Sequence, residues 1–384
     1  MKIIGIICEY NTLHLGHKKQ IDIIRNANPD CGIVCLMSGN YVQRGEPAIF
    51  DKMLRARAAV ACGADLVLEL PIPVALSSAE GFAQGGVSIL SKACDSLCFG
   101  AENAQADVLW QVAGGLLLPQ FSPILKEELE TGVSFPTARQ RALERMGIPA
   151  DILGTPNNIL AVEYCKAILS QGSAMEIMPI LRQGNYHDTL PDAENPSATS
   201  LRQQIFQNQD WQNYVPDAVR GIFEGAVPHC TAYGERSILS RLRTMTDEEF
   251  EALPYGSEGL WRKLMHASRE FSTLEEILTA VKSKRYTRTR LDRMVLCAFL
   301  GIQEETLTQP VPYVRALAFN DTGRDILKKF RTQGEFPNIG ETRPEEYQLL
   351  ENRCADLYGL FAKIPEPPAR EEKYRVYYQK NGEV

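Results

Sequence analysis

Short hydrophobic runs alternate with amphipathic segments along the first half of the chain. Each run is rich in Val, Ile, Leu and Cys with little polar alternation, which is typical of a strand buried on both faces. The runs lie at 2–10, 31–39, 64–71, 95–102 and 175–183. Segments with a helical period separate them, at 17–27, 51–62, 78–92, 135–147 and 158–171. This alternation predicts an α/β fold, a Rossmann-like parallel sheet with helices on both faces.

The pattern changes at about residue 200, where the hydrophobic positions take a helical period. Segments such as RSILSRLRTM and RLDRMVLCAFLG follow, and strand-like runs are almost absent until YRVYYQ near the end. We therefore predict two domains, the α/β domain at 1–210 and a mostly helical C-terminal domain at 211–384. The segment PEPPAREEK is rich in turn-forming residues and is expected to be exposed.

Composition and charge limit the class of protein. The chain has 384 residues, 44% of them hydrophobic, and its N-terminus lacks a signal-peptide cleavage site. No run approaches the ~18 apolar residues that a membrane span needs, so we expect a cytoplasmic protein. The ten cysteines are scattered without C-x-x-C spacing, so reduced core cysteines are expected in place of zinc or disulfides. With a net charge of −7, any polyanion site requires a local basic patch.

Two of the five histidines lie in the stretch EYNTLHLGHKKQI, directly after the first predicted strand. His14 and His17 flank Gly16 at the start of the next helix, and their spacing lets both rings face one ligand. Ligands of a doubly wound sheet bind at the carboxyl ends of its strands, and a helix N-terminus favours an anion. The pattern indicates a nucleotide-phosphate site. A zinc site is less well supported, because no further ligands lie nearby in sequence.

A second motif, SATSLR, follows the last strand predicted for the α/β domain. Ser197, Thr199 and Ser200 can cap a helix there, and Arg202 offers a bidentate fork for phosphate. Together with H-x-G-H, this motif resembles the S-T-x-x-I-R motif of the nucleotidyltransferase superfamily related to class I aminoacyl-tRNA synthetases. The resemblance implies that both histidines stabilise the phosphates of ATP while a nucleophile attacks the α-phosphate.

The wider sequence resembles the bacterial tRNA(Met) cytidine acetate ligases over nearly its whole length. The matching segments include MSGNYVQRGEPAIFDK, ADLVLELP, FGAEN, GTPNNILAVEY, ILRQGNYHD and KSKRYTRTRL. The resemblance implies an enzyme that activates acetate with ATP as acetyl-adenylate. It then transfers the acetyl group to the N4 amine of the wobble cytidine of elongator tRNA(Met). One departure is Thr12-Leu13, where we expect Pro-Phe from the family; neither residue carries the chemistry.

The resemblance also implies the site residues. Catalytic roles fall to His14, His17, Lys18 and Arg202, which act on the α-phosphate by electrostatic stabilisation and positioning. The residues implied in ATP binding are Ile7, Cys8, Glu9, Tyr10, Asn11, His14, Gly16, His17, Lys18, Gln20, Gly100, Asn157, Arg182, Ser197, Thr199 and Ser200. Mg²⁺ is expected as a complex with ATP, without a metal site on the protein. No covalent enzyme intermediate is needed.

For three of these residues the local sequence gives separate evidence for or against a functional role. Gly100 ends the fourth predicted strand, where bare backbone admits a base or ribose, or where the chain simply turns. Asn157 follows Pro156 at a predicted helix start and is available as a cap. Arg182 lies at a hydrophobic strand tip, where burial without an anionic partner is costly. The loop at 39–52, predicted to lie over the site, holds Asn40, Gln43, Arg44 and Lys52.

The segment KSKRYTRTRLDR, from Lys282 to Arg293, is a local basic patch in an acidic protein. Taken with the resemblance it predicts an RNA-binding surface, to which Tyr286 adds a ring for stacking on an unpaired base. The predicted RNA-binding residues are Lys282, Lys284, Arg285, Arg288 and Arg290, with Arg269, Arg315, Lys328, Lys329 and Arg331 extending the surface. Without the resemblance, a solvated helix face explains the run equally well.

Two other functions stay open at this point. A small-molecule adenylyltransferase needs only the first domain and leaves the helical domain and its basic patch unexplained. A non-catalytic RNA-binding protein is expected to have lost part of the nucleotide site, whereas the H-x-G-H motif and the distant Arg202 motif are both present. The pattern gives no indication of the oligomeric state.

Overall fold

Seven strands form one sheet in the computed structural model, which describes residues 1–182, 196–309, 313–333 and 344–380. The described residues contain these seven strands and two more, which lie outside the sheet; in chain order they are β1 (Ile3–Cys8), β2 (Gly32–Ser38), β3 (Tyr41–Val42), β4 (Glu46–Pro47), β5 (Leu66–Leu70), β6 (Ser96–Ala101), β7 (Glu176–Leu181), β8 (Arg315–Asn320) and β9 (Tyr377–Gln379). The sheet order is β7-β6-β1-β2-β5-β8-β9, while β3 and β4 pair as a hairpin. All five predicted strands are confirmed, as β1, β2, β5, β6 and β7, and they are parallel.

Helices cover the sheet and make up most of the chain beyond it. They are α1 (Leu15–Ala27), α2 (Lys52–Ala61), α3 (Ile72–Ala75), α4 (Ala79–Leu90), α5 (Ala106–Leu117), α6 (Phe121–Glu130), α7 (Phe135–Arg145), α8 (Pro156–Ser170), α9 (Ala198–Phe206), α10 (Asp217–Phe223), α11 (Thr231–Thr244), α12 (Asp247–Glu251), α13 (Leu260–Glu270), α14 (Leu274–Val281), α15 (Arg288–Leu300), α16 (Glu304–Thr308), α17 (Asp321–Gln333) and α18 (Glu345–Tyr358). The five predicted helices are confirmed as α1, α2, α4, α7 and α8. Within the described ranges no single helix has the length and apolarity of a membrane span; the pair α5 and α6 passes jointly but is bent by 80°.

The strand order places a topological switch at β1. The chain leaves β1 for β2 and β5 on one side and returns to β6 on the other side. Because the carboxyl ends of β1 and β6 then flank a crevice, this edge of the sheet is the expected ligand site. The central strands are hydrophobic because both their faces are covered, and every residue of β2 is buried. The prediction of burial on both faces is wrong for β7, which lies at the edge of the sheet with exposed ends.

The expectation that strands are almost absent after residue 200 is wrong at β8. This strand pairs antiparallel with β5, and β9 pairs with β8 in turn. The run RALAFN was missed because it is short and leads directly into α17. The two strands extend the sheet beyond β5, whose outer edge would otherwise be unpaired. The domain division at 210 stays a prediction, and the sheet itself draws two strands from beyond it.

Most of the segment PEPPAREEK is exposed, as predicted, but its Glu371 lies in a buried ion cluster. The carboxylate of Glu371 is 3.0 Å from Lys52 Nζ and also pairs with Arg315. The neighbouring Arg370 lies 3.6 Å from Asp51. This internal pairing also overturns two other expectations. Lys52 does not line a loop over the site, and Arg315 does not extend an RNA surface.

Arg55 of α2 fastens the loops that follow two central strands. Its side chain is fully buried, and its Nε and Nη1 donate to the carbonyl oxygens of Phe50 (2.9 Å), Glu9 (2.6 Å) and Ser38 (3.1 Å). Nη2 donates to the carbonyl of Gly39. Carbonyl oxygens at strand ends thus take the place that a carboxylate usually has beside a buried cation. The guanidinium of Arg55 therefore holds together the loops that follow β1 and β2.

Replacing Arg55 with methionine is expected to lower the free energy of unfolding by about 3–5 kcal/mol, because the carbonyls lose a charged donor. Lysine keeps the charge but cannot reach every acceptor, so it should recover part of this stability. Urea unfolding measures both changes. Arg57, exposed on the same helix, is the matched control; its replacement by methionine should change the free energy of unfolding by less than about 1 kcal/mol. Equal losses in the free energy of unfolding at Arg55 and Arg57 would contradict the stabilising role assigned to Arg55.

Candidate active site

His14 and His17 form the first turn of α1 in a reciprocal arrangement. His14 is the N-cap, and its Nδ1 accepts a hydrogen bond from Gly16 N at 3.1 Å. The backbone N–H of His14 in turn donates to Nδ1 of His17 at 3.3 Å. The two rings are stacked with centroids 3.8 Å apart. Since Nδ1 accepts in both rings, each neutral imidazole carries its proton on Nε2, which is free to donate to a ligand.

Gly16 has a specific steric role in this turn. A Cβ at this position would lie 3.0 Å from Cε1 and 3.1 Å from Nδ1 of His14. A larger residue here would therefore require the His14 ring to shift by a few tenths of an ångström. The edge of Tyr10, 4.9 Å between centroids, borders His17 on the other side. The histidine corner is thus fixed by its immediate neighbours along the chain.

Both histidines are neutral at physiological pH. Burial lowers the pKa of His14 from 6.5 to about 3, helped by the positive charges of Arg182 and Arg202. Burial also lowers the pKa of His17 well below its ordinary value, followed by the effects of His14 and Arg182. The positive charge at the corner therefore comes from the arginines. The imidazoles contribute neutral N–H donors and the start of a helix, which together suit a phosphate.

The low pKa values predict a loss of stability in acid. Below pH 6.5 an unfolded histidine takes up a proton, whereas folded His14 does so only near pH 3, so acid favours the unfolded chain between these values. Replacing His14 with asparagine should flatten the pH dependence in this window by up to about 1.4 kcal/mol per pH unit. Urea unfolding at several pH values measures the slope. An NMR titration in which His14 protonates near pH 6 would contradict the expectation.

The SATSLR motif meets the histidine corner across the fold. Ser197 caps α9 as predicted, accepting from Ser200 N at 3.1 Å. Arg202 then reaches back to the loop before His14, where its Nη1 donates to the carbonyl of Asn11 at 2.5 Å. Its Nη2 donates to Thr199 Oγ1 at 3.3 Å. The two motifs, far apart in sequence, therefore form one site.

A carboxylate that the sequence analysis did not select organises the start of α8. Glu102, just after β6, accepts from Thr155 Oγ1 (2.9 Å), Asn157 Nδ2 (2.6 Å) and Asn158 N (2.9 Å). These hydrogen bonds outweigh the effect of partial burial and lower its pKa. The alternative in which Asn157 caps the helix is not observed, because Thr155 occupies the N-cap position and Glu102 accepts from the N-terminus of α8. A carboxylate in FGAEN, directly at the switch point, was the available signal.

The same contacts deliver Arg182 to the corner. Its Nη1 donates to Asn157 Oδ1 at 3.1 Å, so the amide links Glu102 to the guanidinium. A Cβ on Gly100 would lie 3.0 Å from Cγ of Arg182, so the glycine makes room for this side chain. Arg182 is exposed at the end of β7, and the argument from the cost of burying it does not apply. The cation is held beside the two histidines by a chain of hydrogen bonds.

The β3–β4 hairpin closes the other side of the corner. Gln43 N donates to Glu9 Oε1 at 2.8 Å, which joins the hairpin to the end of β1. Burial raises the pKa of Glu9 above its ordinary value. Burial also raises the pKa of the Cys8 thiol, with a contribution from Cys35, and so keeps it in the poorly nucleophilic protonated form. The environment of Cys8 agrees with a reaction that needs no cysteine nucleophile.

Comparison with known proteins identifies the family. The model of the HIGH Nucleotidyl Transferase family matches residues 1–373. A tRNA(Met) cytidine acetate ligase of Clostridium novyi is 36% identical over 364 residues, covering 88% of this chain and 89% of the relative. One of Clostridium acetobutylicum is 32% identical, covering 96% and 97%. The chain belongs to the tRNA(Met) cytidine acetate ligase family. This finding confirms the resemblance inferred from the motifs.

Solved structures of this family have the same fold. The apo crystal structure of Thermotoga maritima TmcAL superposes with a TM-score of 0.91 at 28% identity, covering 99% of this chain and 100% of the other. A second crystal form, with bound α-thio ATP, gives a TM-score of 0.89 at the same identity and coverage. The predicted fold class, a parallel nucleotidyltransferase sheet followed by mostly helical structure, is confirmed.

Three residues named from the family resemblance lie outside the cluster of side chains at the corner. Lys18 pairs with Asp22 one helical turn along α1. Gln20 lies further along the same helix, with its Nε2 3.6 Å from Cys98 Sγ of β6. Ile7 packs in the hydrophobic core beneath the sheet edge. Their roles in ATP binding or catalysis therefore stay predictions. All ten cysteines are free, as expected, and the described residues contain no cluster of three metal-ligating side chains.

The basic patch of 282–293 is partly used inside the protein. Tyr286 is 6% exposed and its hydroxyl donates to Glu258, so the expectation that its ring stacks on an RNA base is wrong. Arg288 binds Glu275 at 2.7 Å and Asp292 at 2.9 Å. Outside the patch, Arg269 and Lys328 pair with Asp247 and Asp325, and Lys329 donates to the carbonyl of Ala93.

Arg290 is also engaged internally. Its guanidinium donates to the carbonyl of Tyr255 at 2.9 Å and to Ser257 Oγ at 2.9 Å. By contrast, Lys282, Lys284 and Arg285 are exposed. The run therefore divides into a structural half and a half that faces solvent, and the RNA-binding role of the whole run stays a prediction.

Proposed function

We propose that this chain is an ATP-dependent acetate ligase that acetylates the N4 amine of the wobble cytidine of elongator tRNA(Met). The observation that carries the proposal is the joining of the two motifs, in which Arg202 binds the loop that positions His14. This arrangement belongs to a chain whose family is named for the activity. The reaction is proposed for the cytoplasm, where its tRNA substrate is found. Residues 1–210 carry the ATP chemistry in this proposal, and residues 211–384 hold the RNA.

In the proposed first step, an acetate oxygen attacks the α-phosphorus of ATP, and the bond to the bridging oxygen of pyrophosphate breaks. Negative charge grows on the α-phosphate oxygens, where donors placed in advance are most effective. His14 and His17 supply Nε2–H donors, while Arg202 and Arg182 supply positive charge. Because both rings are neutral, they act on the phosphate as hydrogen-bond donors and not as acids.

In the proposed second step, the cytidine amine attacks the acetyl carbon, and AMP leaves as the carbon–oxygen bond breaks. The nitrogen loses one proton, which is released to solvent alongside AMP, as the amide forms. Mg²⁺ is proposed to accompany ATP and to neutralise phosphate charge. Since the described residues form no metal cluster of their own, the ion would be held through the nucleotide phosphates, with Arg182 and Arg202 on the remaining oxygens.

The approach of RNA to the corner is proposed from the side of α15. Arg293 of this helix donates from Nη1 to the carbonyl of Gln43 at 3.2 Å, and Gln43 in turn holds Glu9. A Cβ on Gly45 would lie 2.4 Å from Arg293 N, so hairpin and helix are in backbone contact. An RNA loop bound beside the start of α15 therefore lies next to the hairpin that borders the nucleotide site.

One reaction tests the proposal: purified protein with radiolabelled acetate, ATP and total bacterial tRNA, run with and without the RNA. The expected result is label in tRNA that depends on ATP, and acetyl-adenylate when RNA is left out. Wobble-position N4-acetylcytidine in the digested tRNA identifies the acceptor. Adenylate without labelled tRNA would contradict the acceptor. Absence of both products, with ATP still bound, would favour a small-molecule adenylyltransferase with another acid.

A further inference from the structure

The exposed face of α13 carries cations that the basic run does not include. Arg262, Lys263, His266 and Arg269 are all exposed, whereas Leu264 and Met265 face the core. Arg262 lies over the ring of Trp261 at 4.9 Å, which holds its guanidinium near the surface. Among the described residues, no carboxylate lies within 4 Å of Arg262 or Lys263.

The fold brings this face next to the solvent-facing half of the basic run. Only three residues connect α13 to α14, so the two helices form an antiparallel hairpin. The end of α14 and the following Lys282 therefore lie beside the first turn of α13. A second link confirms the proximity, because Glu258, just before α13, binds Arg285 at 2.7 Å. The sequence separates these groups by some twenty residues, and the hairpin unites them.

The result is a compact group of positive charge at the open end of the hairpin. We call it the hairpin cluster; it consists of Arg262, Lys263, Lys282, Lys284 and Arg285, all of them exposed. Among the described residues, the carboxylate in ion-pair contact with it is Glu258, which also accepts from Tyr286. Glu275 lies near enough to Lys282 that this charge, after the larger effect of the hydrogen bond from Arg288, lowers its pKa. The neighbouring Arg288 is paired with two carboxylates, and the guanidinium of Arg290 is held by a backbone carbonyl and a hydroxyl. In a chain of net charge −7, such a group attracts a polyanion.

We propose that the hairpin cluster binds the phosphate backbone of the RNA substrate, with Arg262 and Lys263 contributing as much as Lys282 and Lys284. The inference rests on the proposed function and specifies where its RNA is held. Phosphate contacts by exposed Lys and Arg supply affinity through counterion release, with no need for base recognition. Arg288 and Arg290 are assigned to the support of this surface and not to RNA contact.

The test is binding of an unmodified tRNA(Met) transcript, measured by fluorescence anisotropy across a range of salt concentrations. The double variant Arg262→Glu/Lys263→Glu is expected to weaken binding about thirtyfold or more at low salt, and to reduce the slope of log K against log salt by about 1.5–2. Lys282→Glu/Lys284→Glu should have a similar effect. Acetyl-adenylate formation without RNA should stay within about twofold of the wild type.

A matched control carries the same charge change elsewhere. Lys126 and Arg141 are exposed on α6 and α7, and Lys126→Glu/Arg141→Glu should leave both affinity and slope nearly unchanged. Arg262→Gln/Lys263→Gln keeps the test valid if charge reversal prevents folding. Full affinity in the Arg262 and Lys263 variants, with loss only in the Lys282 and Lys284 variant, would overturn the inference. A wild-type protein that forms no acetyl-adenylate would instead contradict the proposed function.

Discussion

Replacing His17 with alanine is expected to lower acetyl-adenylate formation about a thousandfold, the upper range for removing one preorganised donor from a developing oxyanion. The change also removes the acceptor for His14 N and the stacking partner of the His14 ring. RNA affinity should not change, because the hairpin cluster has no contact with this turn. Rapid-quench measurement of adenylate in the absence of RNA, and anisotropy with RNA, separate the two quantities.

Two further substitutions at His17 separate its Nδ1 from its Nε2. Asparagine places an oxygen near the position of Nδ1, so it can still accept from His14 N but has no donor near Nε2. Glutamine places an amide nitrogen near the position of Nε2, so it can donate to phosphate but supports the turn poorly. If donation to the α-phosphate is the main effect, glutamine should be more active than asparagine, although asparagine should be the more stable variant.

The opposite order would contradict the assignment of the proton to Nε2. An asparagine variant as active as the wild type would show that His17 serves only to cap α1. An alanine variant that loses RNA affinity and adenylate formation together would show that the corner and the RNA surface are not separate. Melting temperatures of the three variants provide the control for simple unfolding.

The histidine corner was predictable because its contacts are local. The N-cap bond of His14 joins residues two apart, and its bond to His17 joins residues three apart. The cap of α9, from Ser197 to Ser200, is local in the same way. Hydrophobic runs of the central strands were equally clear, since burial on both faces imposes one composition on the whole segment.

Contacts between distant segments were not predictable in the same way. Glu102 is recognisable as important only when Asn157, 55 residues later, is seen beside it. The burial of Glu371 depends on Lys52, 319 residues earlier. The position of Glu102 after β6 marks it only as a candidate, and nothing in the local sequence of Glu371 distinguishes it from an exposed carboxylate. The contacts of both carboxylates depend on how the fold arranges distant strands and helices. The strand β8 is a further example, because its pairing with β5 defines it.

The basic run shows why a local charge pattern predicts a surface incompletely. Arg288 is neutralised by Glu275, 13 residues away, which the run itself does not contain. Tyr286 is buried against Glu258, 28 residues away. Conversely, Arg262 and Lys263 lie outside the run in the sequence, and the hairpin of α13 and α14 places them beside its exposed cations. Net charge along the chain and net charge on a surface are different quantities, and the second decides binding to a polyanion.

Arg202 is expected to be the second most sensitive position. Replacement by methionine removes the hydrogen bond to the Asn11 carbonyl and a positive charge beside the corner, and should lower kcat/KM for adenylate formation by about 100- to 1000-fold. Lysine retains the charge but not the fork between Asn11 and Thr199, so it should lie between methionine and the wild type. Steady-state kinetics with varied ATP separate an effect on KM from one on kcat.

The charge of Arg202 has a second measurable consequence, because it helps to lower the pKa of His14. In the methionine variant this pKa should rise, whereas in the lysine variant it should stay near the wild-type value. Thr199→Val is the matched control, since it removes one end of the fork and leaves the charge and the Asn11 contact. If methionine abolished RNA binding but spared adenylate formation, Arg202 would belong to the RNA surface. A loss confined to adenylate formation, together with the raised His14 pKa, would show that Arg202 of the SATSLR motif acts at the histidine corner.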